Sequence, residues 1–243
     1  MKNNWELYIS NNIELTKTAY KYCSSIFSHQ ELIDELSSDD EIKKQLCILN
    51  IETIKSQEEA DALIKNMTEK GGPIRESCAL KINELIHHKE YSHFFQNKFF
   101  LDTFLKALVD INPTVSRNMV ETIEKIEQKT YLIEKIYTKI FESLDELRAY
   151  NLPKSYLLNK KTFKLYWYLE ALFHLINFIE LDDKIENILE ETAVFNDYTI
   201  REKCSKILSA VKSPTKSITN LKCKLKEDEN IFVRRHLITK EKV

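Results

Sequence analysis

Glycine and proline are scarce in this sequence. Of 243 residues, two are glycine, Gly71 and Gly72, and four are proline. Sandwiches, barrels and α/β folds need frequent tight turns, which these residue types usually supply. The shortage therefore predicts an all-α protein. It also excludes the P-loop and the dinucleotide-binding glycine fingerprint, because neither GxxxxGK[ST] nor GxGxxG occurs.

Long apolar runs are also missing. The N-terminus has no uninterrupted apolar segment of the kind found in signal peptides. The most apolar stretch, residues 163–181, is interrupted by Lys164, Glu170, His174, Asn177 and Glu180, which makes it a poor membrane span. The five cysteines include no CxxC pair, so they predict neither a disulfide framework nor a zinc site. We therefore expect a cytoplasmic protein with no membrane partner.

The charges balance overall but are unevenly distributed. Thirty-six Lys and Arg stand against 38 Asp and Glu, a formal net charge of −2. Residues 31–41 carry six acidic side chains and no basic one, whereas residues 214–243 carry eight basic and four acidic side chains. Each segment is either a solvated helix surface or an electrostatic docking surface. The middle of the chain has no lysine and arginine stripe, so a nucleic-acid partner is not expected.

A short pattern recurs six times along the chain. It consists of a turn residue, two spacers, an aliphatic or aromatic anchor, a basic residue, and an apolar residue three positions later. The anchors are Ile42, Ile74, Val115, Phe163, Ile200 and Val233, separated by 32, 41, 48, 37 and 33 residues. The copy at Phe163 is degenerate, and Ser116 replaces the base in the copy at Val115.

Each copy predicts the start of a helix. An Asp or Asn at the turn position accepts hydrogen bonds from the first free backbone N–H groups. The anchor and the residue four later, such as Ile74 and Cys78, then share one helix face. Apolar residues at helical spacing predict a partner helix before most copies. These helices are predicted over residues 57–69, 91–111, 128–150, 182–195 and 217–226.

Helix pairs that repeat every 30–48 residues form an α-solenoid. The motif resembles the HEAT repeat of the armadillo-type family, and the copies at Ile74 and Ile200 are the best matches. The resemblance covers residues 29–243 and implies a right-handed α-solenoid of about six helix pairs, with residues 1–28 as an N-terminal capping helix. In HEAT proteins the basic residue joins a network with turn acids of neighbouring repeats. The resemblance therefore implies structural roles for Asp39, Lys43, Arg75, Asn112, Asp197, Arg201 and Arg234.

The sequence contains none of the catalytic or metal-binding motifs that would indicate an enzyme. GxSxG does not occur, nor do the His-Glu dipeptides with which one class of HEAT-like enzymes binds iron. His87, His88, Glu90 and His93 are the one metal-like grouping, and no second half of a tetrahedral site accompanies them. We expect no catalytic residues, no metal and no cofactor.

The leading hypothesis is a non-catalytic interaction or scaffold module whose partner is another protein or peptide. The alternative is a HEAT-like enzyme. DNA-alkylation-repair glycosylases of this type grip DNA with tryptophans, a basic concave face and a catalytic Asp, but this chain has only Trp5 and Trp167. A HEAT-like chromophore lyase is the other enzyme that fits this alternative.

A candidate partner site lies in the second helix of the fourth copy. Two, six and nine residues after the anchor, most other copies carry polar side chains, whereas this copy carries Leu165, Leu169 and Leu172. Tyr166 and Phe173 are close by in the sequence. A helix that is apolar on all sides must be covered on all sides. Either the helix predicted over 128–150 covers it internally, or these five residues form an exposed groove for a partner helix or peptide.

Overall fold

The computed structural model describes residues 27–68, 71–148 and 156–238, with the backbone alone for 156–159. Over these residues the chain forms twelve α-helices, four short 3₁₀ segments and no strand, which confirms the all-α prediction. The helices are α1 (His29–Asp34), α2 (Glu41–Asn50), α3 (Gln57–Asn66), α4 (Gly72–Ile86), α5 (Lys98–Ala107), α6 (Pro113–Thr122), α7 (Lys129–Arg148), α8 (Tyr156–Leu175), α9 (Asp183–Ala193), α10 (Tyr198–Ala210), α11 (Lys216–Lys226) and α12 (Ile231–Arg234). The capping helix predicted for residues 1–28 lies almost wholly outside the described residues.

The helix starts follow the capping chemistry in most copies of the motif. Asn112, Asp197 and Asn230 each accept a backbone hydrogen bond at the start of α6, α10 and α12. The prediction of Asp39 as a cap is wrong. Asp40 directly precedes α2, and its carboxylate accepts from the N–H groups of Ile42 and Lys43.

Two predicted helix boundaries also differ from the structure. Residues 91–111 are interrupted, because Asn97 caps a new helix after a 3₁₀ segment at Ser92–Phe95. In the fourth copy the helix begins at Tyr156, so Lys160 and Phe163 lie inside α8 and do not mark its start. A 3₁₀ segment at Ile176–Phe178 follows the end of α8.

The chain divides into two compact units, unit 1 (Met1–Lys125) and unit 2 (Ile126–Val243). Among the described residues, each unit contains three helix pairs, in which the second helices carry the recurring motif. In unit 1 the second helices contact one another in the order α2, α4, α6, and the first helices α3 and α5 also touch. In unit 2 the second helices contact in the order α8, α10, α12, and the first helices in the order α7, α9, α11. Layers that contact only their neighbours define a solenoid stack.

The predicted apolar stripes form the interior between these layers. Ile74, Cys78, Ile82 and Leu85 of α4 are buried, as are Ile200, Cys204 and Leu208 of α10. Burying an aliphatic side chain of this size stabilises the fold by about 1.5–3 kcal/mol. Burial also raises the pKa of the Cys204 thiol to about 12, so this cysteine serves as a small apolar group.

Membrane-spanning character is absent from the described helices. None of them combines the length and the apolar composition that crossing a bilayer requires.

Candidate functional site

Charged side chains lie between the second helices of unit 2. Glu170 is in the C-terminal half of α8, and Lys203 and Lys206 are one turn apart on α10. The Nζ atom of Lys203 is 2.7 Å from Glu170 Oε2, and that of Lys206 is 2.5 Å from Oε1. Ionisable residues are rarely buried unless paired, so these contacts explain how a carboxylate is accommodated in this helix.

The cations determine the charge state of Glu170. Burial raises the pKa of its carboxyl group, but hydrogen bonds from His174, Lys203 and Lys206 outweigh this and hold the pKa well below its usual range. Burial lowers the pKa of Lys203, but its contacts with Glu170 and Tyr166 reverse the shift and raise it. Both groups therefore stay charged at neutral pH.

Two aromatic rings flank this ion-pair cluster. Tyr166, Glu170 and Phe173 are spaced four and three residues apart, which puts them on one side of α8. Lys203 Nζ lies 4.3 Å from the centroid of the Tyr166 ring, and Lys206 Nζ lies 4.2 Å from that of Phe173. Each lysine is thus held between a carboxylate and a ring, an arrangement stabilised by cation–π attraction. We call these five residues, Tyr166, Glu170, Phe173, Lys203 and Lys206, the aromatic–lysine face.

A second carboxylate extends the polar contacts to α12. Glu202 Oε1 lies 3.0 Å from Arg235 Nη2 and 2.8 Å from His236 Nε2. Burial raises the pKa of Glu202, but the hydrogen bond from His236 and the charge of Lys203 help to make the net shift downward. The Ser205 hydroxyl also donates to the carbonyl oxygen of Val233 at 2.6 Å. These contacts hold the last described helix against α10.

In unit 1 the equivalent contact, between α4 and α6, is centred on an asparagine in place of the glutamate. Asn83 Nδ2 donates to Asn118 Oδ1 at 3.1 Å and to Glu121 Oε2 at 2.8 Å. Asn118 and Glu121 follow the anchor Val115 by three and six residues, as Lys203 and Lys206 follow Ile200. Glu170 therefore occupies the position that Asn83 has in α4. Asn83 follows its anchor, Ile74, by nine residues. By this equivalence the true anchor position in α8 is residue 161, two residues before Phe163.

This shift of two residues explains where the predicted partner-site leucines lie. Counted from residue 161, Leu165, Leu169 and Leu172 match the buried stripe of Cys78, Ile82 and Leu85. All three leucines are 0% exposed. In unit 2, α8 contacts both α7 and α10, and the apolar residues of α7 (Leu132, Ile136, Ile140 and Leu144) are buried as well.

Of the two alternatives for these leucines, internal covering occurs, and the open groove lined by them is wrong. Tyr166 and Phe173, the other two predicted partner-site residues, remain partly exposed. They belong to the aromatic–lysine face.

Two arginines of the repeated motif bind the turn acid of the following layer. Arg75 donates to Asp110 through Nε at 2.6 Å and Nη2 at 3.1 Å. Arg201 binds Asp228 with the same two atoms and the same two distances. Asp110 and Asp228 in turn accept the backbone N–H groups of the caps Asn112 and Asn230. This is the inter-repeat network that the sequence resemblance implies. Within each unit the described helix pairs stack as an α-solenoid.

Comparisons with solved structures return a designed armadillo repeat protein and an engineered protein. This solenoid is similar to a designed armadillo repeat protein at 14% sequence identity and a TM-score of 0.49, over 86% of this chain and 97% of that chain. It is also similar to an engineered protein from a structural genomics consortium at 12% identity and a TM-score of 0.49, over 87% of this chain and 96% of that chain. No family model and no curated protein matches the chain.

Two other basic residues of the repeated motif, Arg234 and Lys43, make local contacts. Arg234 donates through Nη1 to the carbonyl oxygens of Asp228 and Glu229, next to the start of its own helix. Lys43 forms an ion pair with Glu35, which precedes α2.

The histidine grouping and the tryptophan make packing contacts. His87 Nδ1 donates to the carbonyl oxygen of Asn83, while the ring of His93 packs against Phe94. In the part of the chain that the structure describes, no three His, Cys, Asp or Glu side chains converge as metal ligands. Trp167 is buried, with its ring against Phe163 and Tyr166. It therefore offers no surface on which a nucleic-acid base could stack. Trp5 lies outside the described residues.

Sequence reasoning missed Glu170, Lys203 and Lys206 as a group. One signal was present, because an acidic residue within an otherwise apolar helix requires a cationic partner. The sequence does not indicate which of the 36 Lys and Arg residues supplies that partner.

Proposed function

We propose that the protein is a non-catalytic interaction module and that the aromatic–lysine face binds a segment of a partner protein. The observation that carries this proposal is the pair of partly exposed rings, Tyr166 and Phe173, each in contact with a lysine. Aromatic side chains are enriched at the centres of protein interfaces. A ring that is already immobilised loses little conformational entropy when a partner binds.

The charge states on this face argue against a catalytic role. A general base works best when its pKa is near the operating pH. The pKa of Glu170 is instead held far below its usual range by its cationic neighbours. Its carboxylate is thus a fixed structural charge that orients Lys203 and Lys206.

We also propose a cytoplasmic location. Cys47, Cys78 and Cys204 are free and buried. Free buried thiols fit a reducing compartment.

A peptide-display selection tests the binding role. The full chain is panned against a random peptide library, and the affinity of each enriched peptide is measured by fluorescence anisotropy. Tyr166→Ala/Phe173→Ala removes both anchors and is expected to weaken binding by about tenfold or more. The matched control, Phe99→Ala/Phe178→Ala, removes two exposed rings outside the face and should change affinity less than about twofold.

Two results would contradict the proposal. One is a selection that enriches no peptide with measurable affinity for the full chain. The other is an equal loss of affinity in the face variant and in the control variant. Circular dichroism melts of both variants show whether folding is preserved.

A further inference from the structure

Unit 2 carries a second surface whose lysines are not used by the face described above. Residues 212–226 contain five lysines and no acidic residue. Four of them are exposed, one just before α11 and three on it. We call these four residues, Lys212, Lys216, Lys224 and Lys226, the lysine ridge. It belongs to a first helix, whereas the aromatic–lysine face belongs to second helices.

The ridge lysines differ from the cations packed against the second helices of unit 2 in lacking carboxylate partners. Arg201, Lys203, Lys206 and Arg235 all form ion pairs with buried or half-buried acids. Among the described residues, no carboxylate lies within ion-pair distance of the four ridge lysines. The neighbouring Lys222 is affected as well, because burial and the charge of Lys226 lower its pKa. No direct ion pair therefore offsets the charge of these four lysines.

Three of the ridge lysines lie on the outer half of α11. Ile218 and Leu225 are buried and define the inner side of the helix. At 3.6 residues per turn, Lys216 projects almost directly outward, and Lys224 and Lys226 project about 70° and 90° to either side of that direction. Lys216 and Lys226 are ten residues apart, which corresponds to about 15 Å along the axis.

Carboxylates bound the ridge at both ends. At its start, Thr215 and Ser217 donate hydrogen bonds to Glu186 and Glu190 of α9. At its end, Glu227 and Glu229 are exposed. The positive surface is thus an island about as long as four or five extended residues, at about 3.3 Å each.

These dimensions and the composition select one class of partner. Double-stranded nucleic acid carries a charge about every 1.7 Å and continues past the island, where it would face the bounding carboxylates. A membrane-surface helix needs large apolar side chains beside its lysines, and α11 exposes none. A short acidic peptide segment meets neither obstacle. We propose that the lysine ridge docks an acidic segment of a partner protein through that segment's carboxylates.

The test uses a defined probe on the full chain. A fluorescein-labelled octapeptide of five glutamates and three serines is titrated at low ionic strength, beside a peptide in which glutamine replaces every glutamate. Lys216→Glu/Lys224→Glu/Lys226→Glu is expected to weaken binding of the acidic peptide by about tenfold or more. Lys216→Gln/Lys224→Gln/Lys226→Gln removes the charge without reversing it and serves if the first variant folds poorly.

A matched control separates the ridge from net charge. Lys98→Glu/Lys106→Glu/Lys125→Glu makes the same change in charge at exposed lysines of unit 1 and should change the affinity less than about twofold. Tyr166→Ala/Phe173→Ala should leave binding of the acidic peptide unchanged, because the ridge acts independently of that face.

Three results would overturn the assignment. The first is binding of the acidic peptide that survives both ridge variants. The second is an equal loss of affinity in the control variant or in the aromatic variant. The third is ridge-dependent binding of a 20-base-pair DNA duplex or of phosphatidylserine vesicles that is at least as tight as binding of the peptide.

Discussion

At the scale of single residues, burial separates the ion pairs that support the fold from those that do not. The side chains of Arg201 and Asp228 are 11% and 8% exposed and make a two-point contact, with further bonds from Arg201 to the carbonyl oxygens of Phe195 and Asn196. Arg148 is 57% exposed and pairs with the exposed Asp145 and the partly buried Glu191. Water and salt screen exposed pairs, whereas a buried charge without a partner is costly.

The substitution Arg201→Ala is expected to lower the free energy of unfolding by roughly 2–4 kcal/mol at neutral pH, because Asp228 loses its partner in a buried position. The control Arg148→Ala should cost less than about 1 kcal/mol. Urea unfolding followed by circular dichroism measures both. Equal losses in the two variants would contradict this assignment of stability to burial.

The ion pair between Arg201 and Asp228 also predicts how the stability of the fold depends on pH. Hydrogen bonds from Arg201 lower the pKa of Asp228 below its ordinary value, despite the opposing effect of burial. Stability from a carboxylate whose pKa is lowered by folding is present above the unfolded pKa of about 3.9 and is lost as the pH falls through the folded pKa. The stability difference between wild type and Arg201→Ala should therefore shrink as the pH falls below about 4.

At the scale of helices, the rotation of α8 about its axis is the feature that sequence periodicity misjudged. Leu80 and Leu169 both lie six residues after their sequence-derived anchors, Ile74 and Phe163. Leu80 is 48% exposed, whereas Leu169 is 0% exposed. In the observed rotation of α8, Glu170 contacts α10 and the three leucines face the interior.

This rotation predicts unequal effects of the same substitution. Leu169→Ala should destabilise the protein by about 2–5 kcal/mol, since it leaves a cavity among buried neighbours. Leu80→Ala removes a half-exposed side chain and should cost less than about 1 kcal/mol. Thermal melts of the two variants give the comparison. A larger loss for Leu80→Ala would show that the register assigned to α8 is incorrect.

At the scale of the whole molecule, stability in a stack of helix pairs comes from contacts between adjacent layers. In unit 2, α10 contacts α8, α9, α11 and α12. By contrast, α12 has four residues, contacts α10 and α11, and exposes Ile231 and Phe232.

Hydrogen exchange should follow this difference. Backbone amides of α10 are expected to exchange more slowly than those of α12, because opening α12 disrupts far fewer buried contacts. Mass spectrometry of exchanged and digested protein resolves the two segments. Equal protection in α10 and α12 would show that unit 2 opens as one cooperative block.

Local chemistry in the sequence determined the helix starts and the helix-pair repeat. Caps such as Asn112 and Asp197 act on backbone groups two residues away, and apolar stripes such as Ile74, Cys78 and Ile82 follow from 3.6 residues per turn. Such short-range rules need no knowledge of distant residues. The fold class, the six helix pairs and the second-helix stripes could therefore be predicted.

Tertiary structure alone decided which side of α8 is covered and which lysines meet Glu170. An apolar helix offers no polar side to set its rotation, so periodicity leaves its inner face undefined. The lysines that neutralise Glu170 lie 33 and 36 residues further along the chain, and only the stacking of α8 on α10 brings the three charges together. The same packing buries the three leucines and leaves Tyr166 and Phe173 partly exposed.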